Sequence, residues 1–239
     1  ELSSGLDAKS FSPIELLDDT LAQLSRLEPV LNTFALLDLE GAQRDAKAAT
    51  ERQLTGTRLS LLDGIPTSIK DLIAQKGLPQ RFGSRTTSDA PIPTDAPSVA
   101  RLRAAGAVLL GKSTTSEFGC KGVGDSPLTG ITRNPWNTAL TPGGSSCGAA
   151  ALVAAGIVPY AIGTDGGGSL RIPAALTGIF GLKANFGRVP VHPVSATPTL
   201  AHVGPLSRTV ADAALVLGTL AGYDARDPFS IAEPVPSFS

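Results

Sequence analysis

Short apolar runs alternate along this chain with longer stretches of helical periodicity, and this alternation restricts it to the α/β class of folds. "GIPTSIKDL" predicts a strand that ends near Lys70, and "PSVARLRAAGAVLLGKS" predicts a helix from Pro97 that stops at Gly106 before a buried strand. A helix from about Ser146 and a strand from about Ile157 follow. We therefore expect a largely parallel sheet with helices packed on its faces.

The helix starts and the loops are also marked in the sequence. Ser12, Pro13 and Glu15 form a capping-box pattern at the start of "SPIELLDDTLAQLSRL", and a second helix is predicted over residues 39–54. Residues 115–144 are rich in Gly, Pro, Thr and Asn and are predicted to form a long ordered loop. Beyond it, "FGLKA" predicts a strand and "TVADAALVLGTLAG" a helix.

Composition excludes several classes of partner. Apolar residues make up 42% of the chain and charged residues 17%, which suits a sizeable core and argues against disorder. The formal net charge is −1 and no run of Lys or Arg occurs, so we expect no nucleic-acid partner and no membrane partner. The most apolar stretch, residues 148–163, is too short to cross a bilayer. Cys120 and Cys147 make no disulfide framework and favour a cytoplasmic location.

The expected organisation is one domain over residues 1–239, with a helical segment at 1–60 and the chemistry-bearing core at 61–222. The sequence begins at Glu1 and contains no Met, which indicates a processed or truncated piece. The final "DPFSIAEPVPSFS" is expected to leave the domain or to lead toward a further part of it.

Two motifs match known catalytic patterns, but their context argues against both. "GAVLLGKS", Gly106 to Ser113, fits the phosphate-loop pattern, yet its apolar interior favours a strand and a helix precedes it. "GSSCG", Gly144 to Gly148, fits the serine-hydrolase elbow, yet "NPWNTALTPG" before it lacks the strand that the elbow requires. A nucleotide-binding module built on the first motif stays as a minor alternative.

Histidine and metal chemistry have little support in the sequence. His192 and His202 are the only histidines, and we expect both to be structural. No cluster of His, Cys, Asp or Glu has the spacing of metal ligands, so we expect neither a metal nor another cofactor.

Three consecutive glycines in "TDGGGSLRIP" are the most informative local feature. Each glycine costs about 0.5–1 kcal/mol relative to Ala in regular structure, which indicates a need for bare backbone beside another group. The N–H groups of Gly166, Gly167, Gly168 and Ser169, at a predicted helix start, would form a nest suited to an oxyanion. A turn that only lets a helix and a strand pack closely explains the glycines equally well.

Lys70, the pair Ser145–Ser146 in "PGGSSCG", and Ser169 are the remaining candidates for chemistry. A serine hydroxyl is a poor nucleophile until a base takes its proton. Without a convincing histidine, a lysine that burial keeps neutral can act as the base, and a second serine can relay the proton.

The chain resembles the amidase signature family of serine hydrolases over roughly residues 12–222, most densely at 134–190. "GIPTSIKD", "GKSTTSEFG", "TPGGSSCGAAALVAAG" and "GTDGGGSLRIPAALTGIFGLKANFGRVP" carry the resemblance. The separation of 24 positions from Ser145 to Ser169 also matches the spacing of the family's relay serine and nucleophile.

This resemblance implies a fold and a catalytic set. The fold is a three-layer α/β/α sandwich around a mixed, largely parallel sheet, incomplete at the C-terminus because the family's chains are near twice this length. The triad maps to Lys70 as base, Ser145 as relay and Ser169 as acyl-forming nucleophile. The oxyanion hole maps to the N–H groups of residues 166–169, and the Gly144–Ser145 peptide is expected to be cis.

Four further residues are expected to support the site: Ser146, Thr164, Asp165 and Arg171. Asp165 and Arg171 are expected to form an ion pair that fixes the nest, with contact between Arg171 and an acidic substrate as the alternative. Ser146 is expected to cap the helix that it begins. Cys147 stands where the family usually has glycine, and we expect a small buried thiol there, with a narrowed pocket as the alternative.

The expected activity is hydrolysis of a small-molecule amide by a free-standing enzyme without a cofactor; homo-oligomerisation is left open. The alternative is the amidase subunit of a tRNA-dependent amidotransferase. By the resemblance, tRNA-linked members carry glutamine where this chain has Ile172. A purely structural homologue is disfavoured because all three triad positions are intact.

Overall fold

Helices and strands alternate along residues 1–238, the part of the chain that the computed structural model describes. The helices are α1 (Leu2–Asp7), α2 (Pro13–Leu31), α3 (Leu39–Thr55), α4 (Pro97–Ala104), α5 (Cys147–Ala154), α6 (Arg171–Thr177) and α7 (Val210–Leu220). The strands are β1 (Phe34–Leu37), β2 (Pro66–Lys70), β3 (Val108–Ser113), β4 (Asp125–Ser126), β5 (Gly130–Ile131), β6 (Tyr160–Asp165), β7 (Phe180–Gly181) and β8 (His202–Ser207). Among these residues, no helix combines the length and apolar character needed to cross a membrane.

Six strands form one mixed sheet in the order β1-β3-β2-β6-β8-β7. The central strands β3, β2 and β6 are parallel. On one side β1 pairs antiparallel with β3, and on the other side β8 pairs antiparallel with β6 and β7. The expected α/β fold with a mixed sheet is confirmed. Because β2 and β6 are parallel, their carboxyl ends meet at the same edge of the sheet, and Lys70 and Asp165 lie at these ends.

Helices cover both faces of the sheet and produce two hydrophobic clusters. One cluster joins the sheet to α4 and α7 and includes Ile69, Val99, Leu102, Val216 and Leu220. The other joins it to α2, α3 and α5 and includes Leu17, Leu24, Ala46, Ala150 and Leu152. All five residues of β2 are buried, although alternation of Ile and Thr is typical of a half-exposed strand, because both faces of β2 are covered.

The local signals at helix starts are confirmed. The Ser12 hydroxyl accepts from the Glu15 N–H (3.2 Å), and the Glu15 carboxylate accepts from the Ser12 N–H (2.7 Å), which completes the capping box of α2. The predicted helix over residues 39–54 and the helix from Pro97 are also present as α3 and α4. The loop at 115–144 contains a short 3₁₀ turn and the small β4–β5 hairpin.

Two strands of the sheet were not predicted from the sequence. β1 lies inside the segment 1–60 that was expected to be helical, and it is only four residues long. β8 contains Gly204 and Pro205, which disfavour strands. Gly204 is needed there because a Cβ would lie 2.2 Å from the Leu182 carbonyl oxygen.

The phosphate-loop alternative is wrong for structural reasons. Most of "GAVLLGKS" is strand β3, all of whose residues are buried. Lys112, the lysine of that motif, is fully buried, donates to the Ile73 carbonyl and lies 3.9 Å from the Asp71 carboxylate. A lysine enclosed in this way cannot reach a nucleotide phosphate.

Candidate active site

The end of β2 brings Lys70 to two hydroxyl groups. Lys70 is fully buried, and its Nζ donates to Ser145 Oγ (2.7 Å) and to Thr164 Oγ1 (2.8 Å). Ser145 follows a cis Gly144–Ser145 peptide just before α5, and Thr164 lies in β6 beside β2. Three separate parts of the chain therefore converge on one amine.

Burial makes Lys70 suitable as a base. Loss of solvation lowers the pKa of Lys70 from its ordinary 10.5 to about 7, while Cys147 and Asp165 act in the opposite direction. At neutral pH a large share of Lys70 is therefore unprotonated, and only an unprotonated amine can accept a proton from Ser145.

Ser169 lies in the wall of a pocket of about 430 Å³, together with Ser145, Thr164, Gly166 and Gly167. Its hydroxyl forms no hydrogen bond with any other described residue, and its carbonyl accepts from the Ser146 N–H (3.3 Å). The structure thus brings the two predicted serines to one pocket. It does not form a hydrogen bond between their hydroxyl groups, which the predicted relay requires.

The glycine segment presents three N–H groups without a protein acceptor among the described residues: those of Gly166, Gly167 and Ser169. All three residues line the pocket. The prediction is wrong for Gly168, because its N–H donates to Asp165 Oδ1 (2.8 Å) and is unavailable to a ligand.

The Asp165 carboxylate holds the backbone of the glycine segment in place. It accepts from the N–H groups of Gly168 (2.8 Å) and Leu170 (3.2 Å) and from Arg171 Nε (2.9 Å), and it lies 3.3 Å from Lys183 Nζ. Burial raises the pKa of Asp165, but these donors outweigh it and hold the pKa well below its usual range. The expected ion pair with Arg171 forms, and Arg171 is absent from the pocket wall, where it would meet an acidic substrate.

Ser146 does not cap α5 as predicted. It occupies the N-cap position, but no hydrogen bond from its side chain caps the helix. Its hydroxyl instead donates to the Thr164 carbonyl (3.2 Å) and accepts from the Thr164 N–H (3.3 Å). This approach needs Gly163, where a Cβ would lie 2.6 Å from Ser146 Oγ. Because Ser146 is fully buried, it cannot act as the nucleophile of an elbow.

Cys147 is the small buried thiol that was expected. It is 1% exposed, its Sγ lies 3.5 Å from Thr114 Oγ1, and it does not line the pocket. It therefore fills space between α5 and β3 and does not narrow the site.

The pocket walls include residues that sequence reasoning missed or set aside. His192, His202 and much of residues 190–203 line the pocket, and so do Phe82 and Phe118. No periodic pattern marks these residues. Among residues 1–238, no group of three His, Cys, Asp or Glu side chains is placed to hold a metal ion.

Gly167 and Gly168 differ in how strongly their positions require glycine, and this difference predicts different losses of stability when each is replaced by alanine. Gly168 has a φ of +126°, and a Cβ there would lie 2.8 Å from Ile172 Cδ1. We expect Gly168→Ala to lower the free energy of unfolding by about 1–3 kcal/mol. A Cβ at Gly167 would meet nothing within 4 Å, so Gly167→Ala should change it by less than about 0.5 kcal/mol. Urea denaturation of both variants checks this, and equal losses would contradict it.

The chain matches known proteins along almost its whole length. The family model described as Amidase matches residues 15–239. A glutamyl-tRNA(Gln) amidotransferase subunit from Methylococcus capsulatus is 44% identical over 239 residues, which cover all of this chain and 49% of that protein. The protein of the same name from Chloroflexus aggregans is 44% identical over 237 residues, covering 99% of this chain and 49% of that protein.

Solved structures agree in fold. A bacterial aryl acylamidase of the amidase signature family superposes with a TM-score of 0.93 at 38% identity, covering 98% of this chain and 49% of that one. Native peptide amidase from Stenotrophomonas maltophilia gives a TM-score of 0.92 at 34% identity, covering 100% and 50%. The chain spans about half the length of the curated relatives it matches. On the family match and these likenesses together, the chain belongs to the amidase family.

Proposed function

We propose that this chain carries the catalytic core of an enzyme that hydrolyses a carboxylic amide through an acyl-enzyme on Ser169. One observation carries the proposal. Lys70 is a buried lysine whose pKa is lowered to about 7, and it is hydrogen-bonded to Ser145. In the pocket that Ser145 lines, Ser169 lies beside N–H groups that have no acceptor among the described residues. That arrangement supplies a base, a relay, a nucleophile and an oxyanion site.

Acylation follows from these positions. Ser145 Oγ takes the proton of Ser169 Oγ while Lys70 Nζ takes the proton of Ser145, and Ser169 Oγ bonds to the carbonyl carbon. The carbonyl oxygen becomes an oxyanion held by the free N–H groups. When the C–N bond breaks, Ser145 gives a proton to the leaving nitrogen and regains one from Lys70. Water then attacks the ester by the same relay and releases the acid.

The relay requires the Ser169 hydroxyl to turn toward Ser145. No hydrogen bond to a described residue holds that hydroxyl elsewhere, so rotation about its χ1 angle is unobstructed by a bonded partner. Catalytic hydrogen bonds are often loose without substrate and tighten in the reactive complex.

The pocket wall favours an uncharged, largely apolar amide of small size. Within the described residues, its lining includes Leu72, Phe82, Phe118 and Val194 but no Asp, Glu, Lys or Arg. Burying an unpaired charge against such a wall is costly. The aryl acylamidase and peptide amidase structures that resemble this chain also bear the names of amide-directed enzymes.

A second candidate is the amidase subunit of a glutamyl-tRNA(Gln) amidotransferase, because the curated relatives named above carry that enzyme's name at 44% identity. Ile172 supports the free-standing enzyme instead. A Cβ on Gly168 would lie 2.8 Å from its Cδ1, so Ile172 lies beside the nest, and an apolar side chain offers no polar contact of the kind an amide side chain makes there.

The two candidates differ in what the purified protein needs. We expect it to release acid and amine from neutral aryl and aliphatic amides without ATP, tRNA or a second subunit. A matched amide that carries a carboxylate should have a kcat/KM lower by about 10-fold or more, because its charge enters an apolar wall. If the protein is inert alone and gains glutaminase activity only with a tRNA-binding partner, the amidotransferase assignment is correct instead.

A further inference from the structure

Lys183 contacts the glycine segment and is not one of the catalytic residues described above. It follows β7, and only 20% of its side chain is exposed. Its Nζ donates to the Gly166 carbonyl (2.9 Å) and lies 3.3 Å from Asp165 Oδ1. The Lys183 amine is thus hydrogen-bonded to the backbone carbonyl of the first glycine in the segment Gly166–Gly168.

That hydrogen bond fixes the direction of a neighbouring N–H group. In a trans peptide, the C=O of one residue and the N–H of the next point in opposite directions within one plane. Because the Gly166 carbonyl is directed at Lys183, the Gly167 N–H of the same peptide points away from Lys183. Gly167 lines the pocket, and its N–H has no acceptor among the described residues.

The next oxyanion donor is fixed by a different group. The Gly168 carbonyl accepts from the Ile172 N–H (2.7 Å) at the start of α6, so the Ser169 N–H of that peptide points away from the helix. Between them, the Gly168 N–H is held by Asp165 (2.8 Å). The Gly168 N–H is therefore held by the protein, the N–H groups of Gly167 and Ser169 on either side of it are left without an acceptor among the described residues, and of these three peptides only Gly166–Gly167 is oriented by a lysine side chain.

This peptide needs an anchor because it joins two glycines. Glycine adopts left-handed and right-handed backbone conformations with similar ease, so the peptide between two glycines can rotate with little steric resistance. Rotation would turn the Gly167 N–H away from the oxyanion and present a carbonyl oxygen instead, which would repel it.

We propose that Lys183 is a positioning residue that holds the Gly167 N–H toward the oxyanion of the reaction. The proposal rests on the acyl-enzyme function proposed above for Ser169. Lys183 would then lower the free energy of the transition state and have little effect on substrate binding, because the Gly167 N–H interacts more strongly with an oxyanion than with a neutral substrate carbonyl.

Kinetic measurements on three variants test the proposal. Lys183→Met should lower kcat by about 100-fold, the lower end of the loss seen when one oxyanion donor is removed, and leave KM within about 3-fold. A boronic acid inhibitor, which forms a tetrahedral adduct on the nucleophilic serine, should bind weaker by a similar factor. Lys183→Gln should retain most of kcat because its amide N–H can still donate to the Gly166 carbonyl.

The matched control is Lys9→Met. Lys9 also donates to a backbone carbonyl, that of Leu54 (3.2 Å), but it lies outside the pocket wall. Its kcat and boronate affinity should stay within about 2-fold of the unsubstituted protein. All rates are to be expressed per fluorophosphonate-titrated site, so that partial unfolding does not imitate a catalytic loss.

Two results would overturn the proposal. One is a Lys183→Met variant whose kcat and boronate affinity stay within about 3-fold. The other is a Lys183→Gln variant as impaired as Lys183→Met, which would mean that charge beside Asp165 matters and the carbonyl anchor does not. If Ser169 proves unreactive in the unsubstituted protein, the proposed function fails instead. A crystal structure of Lys183→Met then tests the anchor itself, since a rotated Gly166–Gly167 peptide supports it and an unmoved one contradicts it.

Discussion

Ser169→Ala is expected to abolish covalent labelling by a fluorophosphonate probe and to lower amide turnover by about 10⁴-fold or more. Ser169 is the only serine that follows the glycine nest, and its hydroxyl has no hydrogen-bond partner among the described residues. A phosphonate bound there would place its oxygen near the free N–H groups of Gly167 and Ser169. Peptide mapping by mass spectrometry should locate the label at Ser169.

Ser146→Ala is the control for this experiment. Ser146 matches the serine-hydrolase elbow in sequence, but it is fully buried and its hydroxyl is bonded to the Thr164 backbone. The variant should keep its label at Ser169, with some loss of stability from the two hydrogen bonds. A label on Ser146, or full labelling of Ser169→Ala, would show that the nucleophile is misassigned.

The parts of the fold that the sequence predicted depend on local signals. The capping box at Ser12 needs only a serine and a glutamate three positions apart, and the helix from Pro97 needs only a favourable first turn. Strand β8 could not be predicted in this way. Pro205 disfavours a strand, yet β8 forms because it pairs with both β6 and β7, and that pairing joins residues far apart in the chain.

The catalytic candidates were predictable for a different reason than their supports. Lys70, Ser145 and Ser169 stand in motifs that resemble a known family, and the structure brings them to one edge of the sheet. The role of the Gly168 N–H was missed because a run of glycines does not reveal which N–H groups face inward. Lys183 was missed because its contact with Gly166 depends on how β7 packs beside the nest.

The wall of the pocket was the least predictable part. Residues 190–203 contain three prolines and one serine at irregular spacing, and most of the segment has no helical or strand period. Their place in the lining of the Ser169 pocket follows from the position of β8, which the sequence did not predict. His192 and His202 consequently line the pocket without any pattern in the sequence that indicates it.

The second large effect concerns Lys70 and its charge. Lys70→Met and Lys70→Arg should each lower kcat/KM by about 10³-fold or more. Methionine has no basic nitrogen, and arginine stays protonated and cannot accept a proton from Ser145. Steady-state rates on a neutral amide, with folding checked by circular dichroism, measure this loss. A Lys70→Arg variant with most of its activity would mean that Lys70 anchors a charge and is not a base.

The same lysine predicts the direction of two pH effects. Because the unprotonated amine is the active form, kcat/KM should rise with pH through about 7 and fall about tenfold per unit below it. The free energy of unfolding should also rise with pH, but over a different pH range. Between about 7 and the ordinary 10.5, the unfolded chain holds a proton on Lys70 that the folded chain lacks, so the Lys70 contribution makes the free energy of unfolding rise with pH there. Lys70→Met should remove that contribution, which makes its stability less dependent on pH than that of the unsubstituted protein. A kcat/KM that stays level between pH 5.5 and 8.5 would show that Lys70 does not titrate in the catalytic step.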